Sequence, residues 1–174
     1  MLLSNLINER RVIPEVKGKT KEEVLSELVH VLKEDGVVKD EGEFLKKIKE
    51  RESIESTAIG DGIAIPHARS ETVEKIAIAL GRSTPGIEEC DSMDGKPVHL
   101  VIMIAAPKGI KKEYLQTIAK VARLLRSRHY RNMIMQAKSE KEIIRAIVAF
   151  DEKYPEEVRV KTRNGRVIHR KEEK

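Results

Sequence analysis

The residues best able to do chemistry fall in one stretch, "IAIPHARS", Ile63 to Ser70. Small and branched apolar residues run into Pro66, and Pro66 leads straight into His67. Proline holds its own φ at roughly −65° and biases the residue before it towards an extended shape. The dipeptide therefore delivers an imidazole at a strand end in a restricted geometry. An imidazole with one nitrogen tied by a hydrogen bond and the other bare is a nucleophile of defined tautomer. A phosphate-carrying histidine needs this, together with fixed orientation and nearby positive charge. Arg51 and Arg69 are the nearby cations, and Gly60-Asp61-Gly62 lets the backbone turn tightly and approach a ligand. Spacing alone does not select phosphate. A histidine after a proline is commonly a loop residue, and a Gly-Asp-Gly run is commonly just a turn.

The remaining histidines read as structural or solvated. His30 falls on an amphipathic helix and His99 inside an apolar strand. His129 sits in the basic run "RSRHYR", and His169 lies in the C-terminal tail. No two histidines have HxH or HExxH spacing, and the single Cys90 excludes a disulfide framework or a CxxC zinc site. No metal and no cofactor are expected.

The elements that must position His67 are written in the same chain. With 174 residues, one domain with a tail is expected. Apolar residues make up 40% but aromatics only 3%, so the core must be built from Ile, Val, Leu, Ala and Met. Three capping boxes announce helices: Thr20 to Glu23, Asp40 to Glu43 and Ser139 to Glu142, each followed by apolar residues at helical spacing. The first helix should stop near Asp35-Gly36. A fourth helix is predicted over Lys111–Arg126 and a short one over Arg128–Lys138. "KIAIALGRS" (Lys75 to Ser83) and "VHLVIMIA" (Val98 to Ala105) read as buried strands, with "GIAI" before Pro66 as a third. The alternation predicts an α/β fold, a central sheet with helices packed on its faces. After Phe150 the chain turns basic, and Asn164-Gly165 between two alternating stretches predicts a hairpin or a partly disordered arm.

Charge and hydropathy narrow the function classes. The 34 basic and 29 acidic residues are interspersed, which is not the pattern of a nucleic-acid polycation. Nucleic-acid binding through the basic tail ranks last, because the tail lacks aromatic stacking residues. The longest apolar run, Val98 to Pro107, is shorter than the roughly 20 residues that span a bilayer. The N-terminus shows no signal-peptide pattern, so a cytoplasmic setting is expected.

The run "RESIESTAIGDGIAIPHA", Arg51 to Ala68, resembles the active-site signature of the enzyme IIA domains of the bacterial phosphotransferase system, in the fructose/mannitol/nitrogen-regulatory class. Arg51-Glu52, Thr57, Gly60, Gly62, Ala64 and Pro66-His67 fall on its positions. The likeness continues through the strand after "DGKPV", through "YLQTIAKVARLL" and into "AKSEKEII", covering roughly Leu2 to Phe150. It implies a IIA-like domain over residues 1–150, with a central mixed β-sheet flanked by helices on both faces. Residues 151–174 lie outside it.

The resemblance also implies an activity. His67 would take a phosphoryl group, through Nε2, from the phosphohistidine of an HPr-like carrier. It would pass the group to a IIB domain in sugar uptake or keep it as a regulatory mark. Arg51 matches the arginine that faces the phosphate, and Thr57, Gly60, Gly62 and Pro66 would support the loop. One position departs from the pattern. The family's second histidine, in a His-Leu pair, is here Tyr114 followed by Leu115. Tyrosine donates a hydrogen bond but is neutral at pH 7. Two expectations therefore stand: a phosphocarrier with Tyr114 in the second-histidine position, or a IIA-fold binding module, weak or silent in transfer, that regulates partners by docking. A homodimer is left open.

Overall fold

In a computed structural model the chain is described over residues 1–88 and 90–155, and as backbone over two further strands that end at Arg170. Side-chain caps start the helices where the sequence places them. The Thr20 hydroxyl accepts the Glu23 N–H at 3.2 Å and opens α1, Lys21–Glu34. Asp40 Oδ1 accepts the Glu43 N–H at 3.0 Å and opens α2, Glu41–Ile54. Next come α3, Lys112–Arg126, and α4, Arg128–Gln136. Ser139 then caps α5, Glu140–Lys153, through the Glu142 N–H at 3.2 Å. At the end of α1, Gly36 takes φ 74°, the left-handed conformation expected after the cap.

Six strands make one mixed sheet: β1 (Val12–Ile13), β2 (Ala58–Gly60), β3 (Ile63–Ala64), β4 (His67–Ser70), β5 (Ala77–Ile87) and β6 (Val98–Pro107). Their order is β1-β5-β6-β3-β2, with β4 also paired to β6. β5 runs antiparallel to β6, whereas β3 and β4 run parallel to it. Ile63 pairs with Leu100 and His67 with Ile104. Pro66 lies between β3 and β4; it has no N–H to give, but its carbonyl accepts the Ile104 N–H at 2.9 Å.

Helices cover both faces of the sheet, as expected. On one face Ile63, Ile65, Ile102 and Ile104 share a core with Tyr114, Leu124, Ile147 and Phe150 of α3 and α5. On the other, Ala64, Ala68, Val101 and Met103 pack with Val24, Leu28, Phe44 and Ile48 of α1 and α2. Burial on both faces explains why β6 is a continuous apolar run rather than an alternating one.

Several boundaries differ from the sequence reading. β5 continues past Ser83 to Ile87, with a register shift between Arg82 and Ile87. At that irregularity Gly86 takes φ 90°, and a Cβ there would lie 2.8 Å from Pro97. The "GIAI" segment is a two-residue strand, and His67 opens a new one. β1 and β2 add short strands that the sequence reading did not contain. α4 stops at Gln136 because the buried Arg82 side chain takes the carbonyls of Ile134 and Ala137, each at 2.7 Å. α5 runs to Lys153, and Tyr154 beyond it packs on Phe150 with ring centroids 5.2 Å apart. In the tail, β7 (Arg159–Arg163) and β8 (Arg166–Arg170) pair antiparallel with Arg163 opposite Arg166. The turn expected at Asn164-Gly165 falls on residues outside those described.

Candidate functional site

His67 sits half-buried at the start of β4. Nδ1 lies 2.7 Å from the Ile65 carbonyl oxygen. A carbonyl can only accept, so Nδ1 carries the proton and Nε2 holds the free lone pair. The proline fixes the spacing between that carbonyl and the ring that uses it.

The carbonyl is itself anchored. The Ile65 N–H donates to the Thr57 carbonyl at 3.1 Å. Thr57 is buried, and its N–H, at 3.3 Å, and its hydroxyl both donate to the Glu52 carboxylate. Glu52 also takes Lys21 Nζ at 2.8 Å; its own side chain is 7% exposed and that of Lys21 26%. A continuous path thus runs from α1 through Glu52 and Thr57 to the carbonyl that orients His67. The sequence reading placed Thr57 beside the site. It gave no role to Glu52, although Glu52 stands next to Arg51 in the quoted motif, and none to Lys21, which carries no local signal.

The His67 ring is held below its usual pKa, chiefly by burial and further by the Arg51 charge; the Ile65 hydrogen bond and Glu52 oppose the shift. The ring is therefore neutral at pH 7, the form in which Nε2 is nucleophilic. Arg51 projects from the last turn of α2, and its Nη1 donates to the Glu55 carbonyl at 2.7 Å. Tyr114, at the start of α3, stands edge-on to the imidazole with centroids 5.7 Å apart and planes at 64°. Arg69 lies near the same phenol ring, its Cζ 5.4 Å from the ring centre. Burial pushes the Tyr114 hydroxyl up to about 12 against the pull of Arg69 and Arg51, so it stays protonated and able to donate. The structure thus brings His67, Arg51, Arg69 and Tyr114 together, with Thr57 and Pro66 beneath them.

Gly60 and Gly62 lie elsewhere. Gly60, Asp61 and Gly62 all take positive φ, at 93°, 55° and 74°. The Gly62 carbonyl accepts the N–H groups of His99 and Leu100, and the Asp61 N–H donates to Asp94 at 3.0 Å. Because His67 is level with Ile104, this turn sits roughly 13 Å away along the sheet, at about 3.3 Å per residue. It braces the far end of β3 and β6. His99 Nδ1 donates to the Ser83 carbonyl at 2.9 Å, a satisfied structural contact. His30 faces Glu41 on the surface at 3.0 Å. Among the described residues no three His, Cys, Asp or Glu side chains converge as a metal-ligand set.

With this geometry in hand, the chain can be set beside known proteins. The sequence profile of the family described as "Phosphoenolpyruvate-dependent sugar phosphotransferase system, EIIA 2" matches residues 5–149. The "PTS system fructose-specific EIIABC component" of Bacillus subtilis (strain 168) is 38% identical over 151 residues, 87% of this chain but only 24% of that protein. A "Nitrogen regulatory protein" of Bradyrhizobium diazoefficiens is 34% identical over 126 residues, 72% of this chain and 81% of its own length. Among solved structures, a complex of enzyme IIA mannitol with phosphorylated enzyme IIB mannitol from Escherichia coli aligns with TM-score 0.70 at 23% identity, covering 82% of this chain and 97% of that one. At that identity the match speaks for the fold. Among the described residues no helix is long and apolar enough to cross a membrane.

Proposed function

The chain belongs to the EIIA 2 family of the phosphoenolpyruvate-dependent sugar phosphotransferase system, and from that premise we propose that it is a phosphocarrier working through His67. The observation that carries the reading is the 2.7 Å contact between His67 Nδ1 and the Ile65 carbonyl, which leaves Nε2 as the one nucleophilic nitrogen of a neutral ring. The Nε2 lone pair attacks the phosphorus of a phosphohistidine on an HPr-like donor. The N–P bond to His67 forms as the donor's N–P bond breaks, and the donor ring keeps the bonding electron pair. The charge gathered by the His67 ring is shared through Nδ1–H with the Ile65 carbonyl. Bonds of one kind are exchanged for bonds of the same kind, so positioning and charge neutralisation carry the catalysis. Arg51 is the phosphate-facing cation, suited by its permanent charge and forked donors. Tyr114 donates a neutral hydrogen bond at the second-histidine position.

The acceptor in this reading is a IIB domain. It draws support from the Escherichia coli complex of enzyme IIA mannitol with phosphorylated enzyme IIB mannitol. The nitrogen regulatory relative supports the other use of the same mark, as a regulatory signal. A cytoplasmic setting belongs to the same reading. A second reading, a IIA-fold docking module with weak or silent transfer, is favoured by one observation. Tyr114 is held protonated and therefore uncharged where the family carries a second histidine.

The test is a charging assay with phosphoenolpyruvate, enzyme I and HPr, run on the wild type and on His67→Ala and read by intact mass. Acid-labile label on the wild type alone supports the carrier. No label on either, with HPr shown to be charged, rejects this donor and favours the docking reading.

A further inference from the structure

A phosphoryl group on His67 Nε2 brings two negative charges into a half-buried site. Tyr114 is uncharged, and Arg51 alone leaves the pair under-neutralised. A second cation is already in place. Successive side chains of a strand point to opposite faces, so His67 and Arg69 share one face of β4. Ala68 and Ser70 point the other way, Ala68 into the core beneath α1 and α2 and Ser70 onto Glu43 of α2 at 2.6 Å. On the His67 face the Arg69 guanidinium lies 5.4 Å from the centre of the Tyr114 ring, the ring that is edge-on to the imidazole. Its Nη1 makes one bond, to the Lys108 carbonyl at 3.3 Å. Among the described residues no carboxylate lies within ion-pair distance of Arg51 or Arg69, whereas Arg10 and Arg11 share Asp35. Arg51 from α2 and Arg69 from β4 thus both act on the Tyr114 side chain that stands against His67, Arg69 directly at its ring, and neither charge is cancelled by a carboxylate.

We propose that Arg69 is a second phosphoryl ligand of this site, held over the Tyr114 ring by a cation–π contact and turned onto the phosphoryl oxygens when His67 is charged. Resting on the carrier reading above, the inference gives Tyr114 a specific use. The aromatic ring takes the place of a charged imidazole by holding a guanidinium where the charge is needed. A planar fork with donors to spare suits the equatorial oxygens of a transferring phosphoryl group.

The test uses two phosphoryl donors. Phosphoramidate, a small molecule, labels histidine without any protein partner; charged HPr tests transfer itself. Wild type, R69A, R69K and K108A are compared by the half-life of the phosphoramidate-derived label and by its partition against an equal amount of HPr. Loss of one charge-assisted donor at a transferring group is worth about tenfold or more. R69A is therefore expected to shorten the half-life and to shift the partition towards HPr by about that factor, with R69K recovering only part of the loss. K108A, which removes a nearby positive charge but keeps the carbonyl that holds Arg69, is expected to match the wild type. A Y114L change should reproduce most of the R69A loss, and Y114L combined with R69A should be no worse than either alone. Equal half-lives and partitions for wild type and R69A overturn the proposal. So does an equal loss in K108A, which would mark a diffuse field rather than a ligand. If the wild type takes label from phosphoramidate but not from HPr, the carrier reading fails for that donor while the half-lives still decide the role of Arg69.

Discussion

The Tyr114 ring is packed edge-on against His67, centroid to centroid 5.7 Å, and the Arg69 guanidinium stands 5.4 Å from the centre of that same ring. One buried aromatic side chain therefore stands against both the His67 imidazole and the Arg69 guanidinium. Tyr114 is 9% exposed and belongs to the core between the sheet and the α3–α5 layer. Tyr114→Ala should cost about 3 kcal/mol in unfolding free energy, because it leaves a cavity as well as losing burial. Tyr114→Phe keeps the ring and should cost under about 1 kcal/mol. Urea denaturation of both variants checks the difference; equal losses would mean that the hydroxyl, and not the ring, holds this corner.

His67 should remain ready to accept phosphate as pH falls to 6.5. Its folded pKa lies below 6.5, the ordinary value of a histidine, chiefly because the ring is buried. Above pH 6.5 the ring is neutral in both folded and unfolded chains, and no stability depends on it. As pH falls below 6.5 the unfolded chain binds a proton that the folded chain resists, so stability declines until the folded pKa is reached. The rate of label uptake should stay level through pH 6.5 and fall only below it. Arg51→Ala removes one cause of the depression and should move the acid limb upward. Proton NMR titration of the His67 ring reads both effects; a ring titrating at or above 6.5 in the wild type contradicts the neutral-nucleophile geometry.

Glu52 holds the carbonyl that orients His67. Glu52→Ala strands Lys21 and both donors of Thr57, and should cost about 2 kcal/mol once the partial exposure of Lys21 is allowed for. It should also slow phosphate uptake per folded molecule, because the Ile65 carbonyl loses its anchor. Glu52→Gln retains an acceptor for Thr57 and should recover most of the uptake. Uptake rates normalised to folded protein check this. An unchanged rate in Glu52→Ala would reduce Glu52 to a stabilising role.

The Gly60-Asp61-Gly62 turn should separate stability from transfer. Gly62 takes φ 74°, and an added Cβ would sit 3.3 Å from His99 Cδ2. Gly62→Ala should cost about 1 to 2 kcal/mol from the left-handed backbone. Because the turn lies at the far end of β3, uptake per folded molecule should match the wild type. A selective loss of uptake would show that the turn reaches the phosphate after all.

The parts of this fold that were legible in the sequence are the ones set by local chemistry. Thr20, Asp40 and Ser139 each accept the backbone N–H of the glutamate three residues on, so the helix starts are readable from four-residue windows. The β6 run is readable because burial on both faces removes every polar residue from its centre. Strands of two or three residues, such as β1 and β2, are too short to carry a period. The end of α4 is set by Arg82 from a distant strand, and the N-terminal turn is held by the buried Asp151, which accepts the N–H groups of Leu3 and Ser4. Neither contact has a local signature. In the site, Pro66-His67 and Arg51 stand in one motif. The meeting of Tyr114 with Arg69, and of Lys21 with Glu52, exists only once the layers are packed. The Gly-Asp-Gly turn looked like part of the phosphate loop because it is close in sequence; the parallel pairing of β3 and β4 with β6 carries it away.

The most direct measurement identifies the nitrogen that carries the phosphoryl group. The chain is charged with its ring nitrogens isotopically labelled, and the phosphorus–nitrogen coupling is read by NMR. Because Nδ1 is committed to the Ile65 carbonyl, the coupling should appear at His67 Nε2. Coupling at Nδ1, or label on any residue other than His67, would contradict the account at its centre.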